Sequence, residues 1–129
     1  MNKLNFPPDL LYHPEHLWVR RLEDGLALIG VSDFAQDQLG KVVYIDLPQP
    51  DDAVEAGREM GAIESAKSVS DLIAPLSGVV VEVNAALDQD PSPLNADPYG
   101  QGWIAKIRPS QPEELDALLP VHEYLRRIQ

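Results

Sequence analysis

The sequence contains no cysteine. That excludes a disulfide framework, a thiolate nucleophile and a cysteine-ligated metal, so any redox or thiol chemistry must come from a group added to the chain. Basic residues are scarce: 10 Lys and Arg stand against 21 Asp and Glu, a formal net charge of −11. Phosphate contacts need clustered Lys and Arg, so nucleic acid is not expected as a partner. The same imbalance favours solubility and steers the chain toward positively charged partner surfaces. No apolar run is long enough to cross a bilayer, and no basic region followed by an apolar stretch opens the chain, so a cytoplasmic protein with no membrane partner is expected. The 129 residues suffice for one core but hardly for two, so a single domain, 1–129, is expected, and as a monomer. Nothing resembles a phosphate-cradling loop or a nucleophile with a general base, which leaves an enzyme reading little support.

Lysine is rare too: Lys3, Lys41, Lys67 and Lys106 are the four. Lys67 stands in the segment Gly61-Ala62-Ile63-Glu64-Ser65-Ala66-Lys67-Ser68-Val69-Ser70-Asp71. Small residues flank it, and apolar runs, Met60 to Ile63 and Leu72 to Ala74, flank those. Strand, short small-residue turn, strand predicts a β-hairpin with Lys67 exposed at its tip. A lysine displayed in that way is a good attachment site for a prosthetic group.

Short β-type runs dominate the remainder and point to a small sandwich or barrel. Leu17 to Leu22 and Leu26 to Val31 flank a turn at Glu23-Asp24-Gly25, and further strands are expected over Val42 to Leu47, Val79 to Val83 and Trp103 to Ile107, the last stopped by Pro109. Gly40 to Asp46 resembles Gly78 to Asn84, which predicts a pseudo-symmetric pair of small sheets. Asp33 with Gln36 has capping-box form, with Gly40 ending the turn or two that follow. Ser110 with Glu113 opens a second candidate helix with Leu115, Leu118 and Leu119 as its stripe. Pro120 breaks it, and Val121, Tyr124, Leu125 and Ile128 suggest another short helix. Residues 1–15 read as an extended segment whose Phe6-Pro7-Pro8 packs on the body, 110–129 as C-terminal helices, and Asp88 to Gly102 as a surface loop. Trp18 and Trp103 are expected in the core. His13 and His16 read as structural rather than as a metal pair, and Glu113, Glu114 and Asp116 as charges favourable to a helix dipole.

Several of these segments together resemble one family. Glu64 to Asp71 is similar to the lipoyl-attachment motif of the H protein of the glycine cleavage system. Tyr12, His16 and Trp18, the run Gly30 to Gln36, and Asn95 to Gly100 with Gly102-Trp103 fall where that family has matching residues, over nearly the whole chain. The resemblance implies a mainly β, hybrid barrel-sandwich fold with short flanking helices. It implies lipoate in amide linkage on Lys67 and a carrier without an active site of its own. In the family a glutamate three residues before the lysine and a glycine eleven after it help the lipoate-attaching enzyme; here these are Glu64 and Gly78. The glycine sixteen before the lysine is replaced by Asp51. Biotin-type hairpins set methionines beside the lysine, whereas Ala66 and Ser68 stand here, which favours lipoate.

In glycine cleavage the arm carries an aminomethyl group whose cationic amine folds into a cleft beside acidic residues. The family usually shows His-Glu-Trp where this chain has His16-Leu17-Trp18, so that carboxylate is missing. Asp71 remains, Phe34 makes this side more apolar, and Glu15 is read as out of strand phase unless the strand is irregular. A second branch, the lipoate-binding proteins of sulfur oxidation by heterodisulfide-reductase-like complexes, needs no amine pocket. Leu17, Asp51 and the Phe6-Pro7-Pro8-Asp9-Leu10 opening fit that branch, and the sequence tilts toward it. The alternatives are the glycine cleavage carrier, serving glycine decarboxylase, aminomethyltransferase and dihydrolipoyl dehydrogenase, and an unmodified interaction protein.

Overall fold

A computed structural model describes residues 4–128. Residues 1–3 of the expected N-terminal segment and residue 129 lie outside the described residues. The strands are β1 (Leu11–His13), β2 (Leu17–Arg21), β3 (Ala27–Val31), β4 (Val42–Asp46), β5 (Ala53–Val54), β6 (Glu59–Ser65), β7 (Val69–Ile73), β8 (Gly78–Val83) and β9 (Ala105–Pro109). They form a six-stranded sheet ordered β1-β2-β3-β9-β8-β5 and a three-stranded sheet ordered β4-β6-β7. Every pairing is antiparallel. Leu17, Val19 and Ile29 of the larger sheet meet Ile45, Ile63 and Leu72 of the smaller one in a single buried core. This is the mainly β barrel-sandwich that the resemblance implies.

The two similar segments do lie in different sheets, β4 in one and β8 in the other, but the sheets are unequal. The expected symmetric pair fails because β3 pairs with β9 and so joins β1 to β3 onto the sheet that holds β8. The segment 1–15 is not wholly extended coil either, since β1 pairs with β2. Pro109 does not stop the last strand but ends it from within, opposite Gly78.

Four short α-helices and one 3₁₀ turn complete the described residues. Helix α1 (Asp33–Leu39) is capped by Ser32, not Asp33: the Ser32 hydroxyl accepts from the Ala35 amide at 3.2 Å, and Gln36 Nε2 instead donates to Asp33 Oδ1 at 2.6 Å. The expected loop 88–102 contains the second half of α2 (Ala86–Gln89) and all of α3 (Pro93–Ala96), anchored by the buried Leu94 and by Leu87 just before the segment. These two apolar residues decide this, because burying them pulls the segment onto the core. The Ser110 capping box does not form. Pro112–Ala117 is a 3₁₀ turn with no side-chain cap. Glu114 is not simply a dipole charge, since its carboxylate accepts from Ser77 N at 2.7 Å and Ser77 Oγ at 3.0 Å. Leu115 and Leu118 enter the main core, whereas Leu119 pairs with Tyr12 and joins a second cluster. Helix α4 (Val121–Ile128) follows Pro120 as expected.

That second cluster packs Leu10, Tyr12, Trp18 and Tyr124 at the outer side of β1 and β2, with Phe6 against it. Tyr12 and Tyr124 stack at 4.7 Å. Trp18 is fully buried, but Trp103 is only half-buried.

Two positions singled out in the sequence have backbone explanations. Asp51 adopts φ 75°, where a Cβ is unfavourable and glycine is at ease. Gly78 needs its missing side chain: a Cβ would overlap the Arg108 carbonyl and lie 2.8 Å from Ile107 Cγ2. Opposite effects of two small substitutions are therefore expected. Asp51→Gly should raise stability or leave it level, because relief of left-handed strain (~1 kcal/mol) offsets added chain entropy. Gly78→Ala should destabilise by roughly 1–3 kcal/mol through overpacking between β8 and β9. Thermal and urea unfolding of both variants check this, and a Gly78→Ala protein as stable as wild type would refute the close-approach reading.

Candidate functional site

The hairpin expected around Lys67 is present. Strands β6 and β7 pair through Ala62↔Asp71, Ile63↔Ser70 and Glu64↔Val69, and residues 66–68 turn between them with Lys67 exposed. The turn is organised by Ser65, buried just before it. The Ser65 hydroxyl donates to Ser68 O at 3.2 Å and accepts from the amides of Ser68 at 3.2 Å and, more loosely, Lys67 at 3.4 Å. A serine bonding its own turn in this way holds the backbone without occupying the outside of the tip. Ala66 N donates to Lys41 O at 3.0 Å and ties the tip to the start of β4. The lysine is thus exposed on a hydrogen-bonded base.

Glu64 lies on the exposed face of the three-stranded sheet, in register with Tyr44 and Val69, both of them exposed. Asp71 lies two residues along on the same face, opposite Ala62, and is exposed. Gly78 belongs to β8 in the other sheet, where packing accounts for it. The structure therefore brings Lys67, Glu64 and Asp71 together on one hairpin and sets Gly78 apart from it.

Beside the hairpin lies a cleft of about 380 Å³, running between β7 and α1. Its apolar wall includes Leu17, Val31, Leu39, Ile63 and Leu72, and its charged lining residues are Asp71 and Glu15. Glu15 is the residue that sequence reasoning set aside as out of phase. The reason it reaches the cleft is local. His16 takes φ 73°, and the tight turn from His13 to His16 closes with His16 N donating to His13 O at 2.8 Å. Strand phase does not apply to Glu15, because β2 begins only at Leu17. Leu17 itself is 2 % exposed and forms part of the cleft's floor, so it supplies apolar surface while Glu15 supplies the carboxylate.

Helix α1 forms a wall of this cleft through Ala35, Gln38 and Leu39 and is held at both ends. At its start, Ser32 Oγ meets the Tyr124 hydroxyl at 2.7 Å, and that hydroxyl meets His16 Nδ1 at 2.9 Å. At its end, Asn95 Nδ2 donates to Gly40 O at 2.7 Å and Gln36 Oε1 at 3.0 Å, while Asn95 Oδ1 accepts from Val42 N at 2.9 Å. Gly40 has φ 76° and returns its amide to Gln36 O. The roles of Ser65 and Asn95 were not read from the sequence, although both stand in segments that drew attention. Among the described residues no group of three potential ligands could hold a metal, and His13 spends Nδ1 on the Glu15 amide at 3.0 Å.

Burial pushes His16 below its ordinary value of 6.5, with nearby Glu15 opposing. His13 is lowered as well, first by burial. Burial raises Tyr124 to about 12. At neutral pH the imidazole of His16 is therefore uncharged, and the two carboxylates give the cleft a negative sign. An apolar floor with a carboxylate rim suits a chain that is aliphatic along its length and cationic at its end.

Comparison with known proteins gives one consistent result. The family described as Glycine cleavage H-protein matches residues 10–129. A glycine cleavage system H protein of Bacteroides fragilis is 45% identical over 121 residues, covering 94% of this chain and 95% of that one. One from Symbiobacterium thermophilum is 48% identical over 120 residues, 93% of each chain. The crystal structure of a glycine cleavage system H protein from Mycobacterium marinum superposes with a TM-score of 0.86 at 37% identity, covering 95% of this chain and 98% of that one.

The histidine environment generates a pH dependence. The folded state depresses the pKa of His16 and His13, so the unfolded chain binds more protons as the pH falls below 6.5. This contribution to stability is complete above 6.5 and declines as pH falls toward the folded values. Melting temperature should begin to fall as the pH drops below about 6.5, before most carboxylates titrate. His16→Gln should flatten that limb in part, leaving the share of His13. An unchanged profile in the variant would show that His16 is not held neutral.

Proposed function

This chain belongs to the glycine cleavage H-protein family, and we propose that it is the lipoyl carrier of a glycine cleavage system, with lipoate in amide linkage on Lys67. The observation that carries this reading is the pairing of an exposed lysine on a pinned turn with an apolar cleft rimmed by Glu15 and Asp71. When bound, lipoate supplies the disulfide that is reduced and the arm that bears the aminomethyl cargo. Everything else is done by the chain. Lys67 anchors the arm, and the tether keeps it at high effective concentration for successive enzymes. Leu17, Val31, Leu39, Ile63 and Leu72 exclude water along the aliphatic part. Glu15 and Asp71 would hold a cationic amine at the end of the arm and shelter it from water. Tyr124 keeps His16 in place without adding a positive charge beside the amine.

The tilt toward sulfur oxidation rested mainly on Leu17. Glu15 supplies the carboxylate that Leu17 lacks, and Asp51 is a backbone matter, so both departures lose that meaning. The relatives described above bear the glycine cleavage name. The partners are then a lipoate-attaching enzyme, glycine decarboxylase, aminomethyltransferase and dihydrolipoyl dehydrogenase, and the chain has no catalytic site of its own. The attaching enzyme must bring its active site to Nζ itself, and Glu64 with Tyr44 and Val69 is the surface it meets first. Gly78 contributes through the fold. No helix among the described residues is long and apolar enough to cross a membrane, consistent with a cytoplasmic place of work.

Intact mass and peptide mapping of native protein should find lipoate on Lys67, and Lys67→Arg should abolish it. Glu15→Gln should speed loss of the aminomethyl cargo by roughly ten- to a hundredfold, the size expected for one charge-assisted hydrogen bond of ~1.5–3 kcal/mol. An unmodified Lys67 in native protein ends the carrier reading. A lipoylated protein whose cargo is released no faster in Glu15→Gln ends the role given to Glu15.

A further inference from the structure

Two motifs singled out in the sequence, Gly30 to Gln36 and Asn95 to Gly100, meet on a side of α1 that does not line the cleft. Ala35, Gln38 and Leu39 face the cleft, whereas Asp33 and Gln36, three residues apart, share the other side. Asp33 is the junction there. Its carboxylate accepts from Asn5 N at 2.7 Å through Oδ2 and from Gln36 Nε2 at 2.6 Å through Oδ1. Gln36 Oε1 in turn accepts from Asn95, which holds the end of the helix. One line of hydrogen bonds therefore runs the length of α1, from residue 5 to Asn95.

Tyr99 fixes Asp33 from its backbone. The Tyr99 hydroxyl accepts from Asp33 N at 2.9 Å, one of the amides at a helix start that lack an internal partner, and donates to Asn5 O at 2.7 Å. Burial pushes this hydroxyl above its ordinary pKa, so it keeps the proton it donates. The ring is fixed as well. It lies 6.1 Å from the fully buried Trp18, whose Nε1 donates to Pro98 O at 3.0 Å. Through Tyr99, α1 is tied to β2 of the larger sheet, whereas β7 across the cleft belongs to the smaller one. Neither Asp33 nor Tyr99 lines the cleft. A short helix shifts as one body, so a bond lost on its outer side is felt at Ala35, Gln38 and Leu39 on its inner side.

We propose that Asp33 and Tyr99 are positioning residues for the shelter that the cleft gives its cargo, and that they act by holding the α1 wall in place. This rests on the carrier reading, and it assigns a task to two residues that the reading does not use.

The test compares wild type with Tyr99→Phe, Asp33→Ala, Asp33→Asn and, as a control for stability alone, Gly78→Ala, whose defect lies between β8 and β9. Amide hydrogen exchange at residues 35–39 is measured on unloaded protein, and the rate of aminomethyl loss on loaded protein. Tyr99→Phe keeps the ring and loses only the hydroxyl, so both rates should rise roughly two- to tenfold. Asp33→Ala should raise them further, and Asp33→Asn, which keeps one acceptor oxygen, should fall between wild type and Asp33→Ala. Gly78→Ala should lower the melting temperature and leave both rates near wild type. Unchanged exchange in Tyr99→Phe and Asp33→Ala overturns the proposal. So does faster exchange with no faster cargo loss, or a Gly78→Ala protein that loses cargo as fast as they do. Native protein with no lipoyl mass on Lys67 ends the carrier reading and the cargo role with it, whereas exchange on unloaded protein still decides whether the two residues hold α1.

Discussion

The cleft beside the Lys67 hairpin depends on where α1 is held. A helix of seven residues cannot hold itself in water, since its few internal hydrogen bonds do not cover the cost of starting it. It persists because distant side chains clamp both ends. Tyr124, 92 residues beyond Ser32, bonds the N-cap hydroxyl, and Asn95 bonds the last turn and the strand that follows. Either clamp alone would let the helix pivot. Together they make α1 a fixed wall of the cleft.

The clamps also carry the electrostatics. With Ala35 N donating to Ser32, a neutral His16 accepting at Nδ1 lets the whole chain of bonds run in one direction, from Ala35 through Ser32 and Tyr124 to the imidazole. Such chains reinforce their members. Burial holds His16 below its ordinary pKa, so the imidazole beside the cleft adds no charge to compete with Glu15 and Asp71. An amine can then be held by carboxylates alone, on a floor of leucine, isoleucine and valine. The carrier needs no further chemistry, because the sulfur resides on the added group and the protein's task is to shelter and release it.

The aromatic cluster shows how a short C-terminal helix comes to matter for a site it does not line. Tyr124 stacks on Tyr12, and Leu119 bridges to the same residue, which draws α4 across β1. Stacking positions the hydroxyl, and the hydroxyl positions α1 and His16. The main core between the two sheets contains no residue of α4, whereas the hydrogen bonds that hold the start of α1 and His16 run through its Tyr124.

Much was legible from local pattern alone. Lys67 at a hairpin tip follows from apolar runs around small residues, and α4 from the spacing of Val121, Tyr124, Leu125 and Ile128, because both signals are complete within a few residues. The same holds for the family resemblance, which a string of local motifs conveys. Local pattern failed where a distant partner decides. Ser110 and Glu113 had the form of a cap, yet Ser77 captured Glu114 and a 3₁₀ turn resulted. The segment 88–102 looked like a loop until Leu94, and Leu87 just ahead of it, found the core. Glu15 looked misplaced because strand alternation was assumed through His16, whose left-handed backbone belongs to a turn. The sequence by itself determined the exposed lysine at the hairpin tip, the β-rich architecture and the family resemblance. Which residues surround the arm was decided only in three dimensions, since a cleft is made of side chains that neither spacing nor periodicity relates.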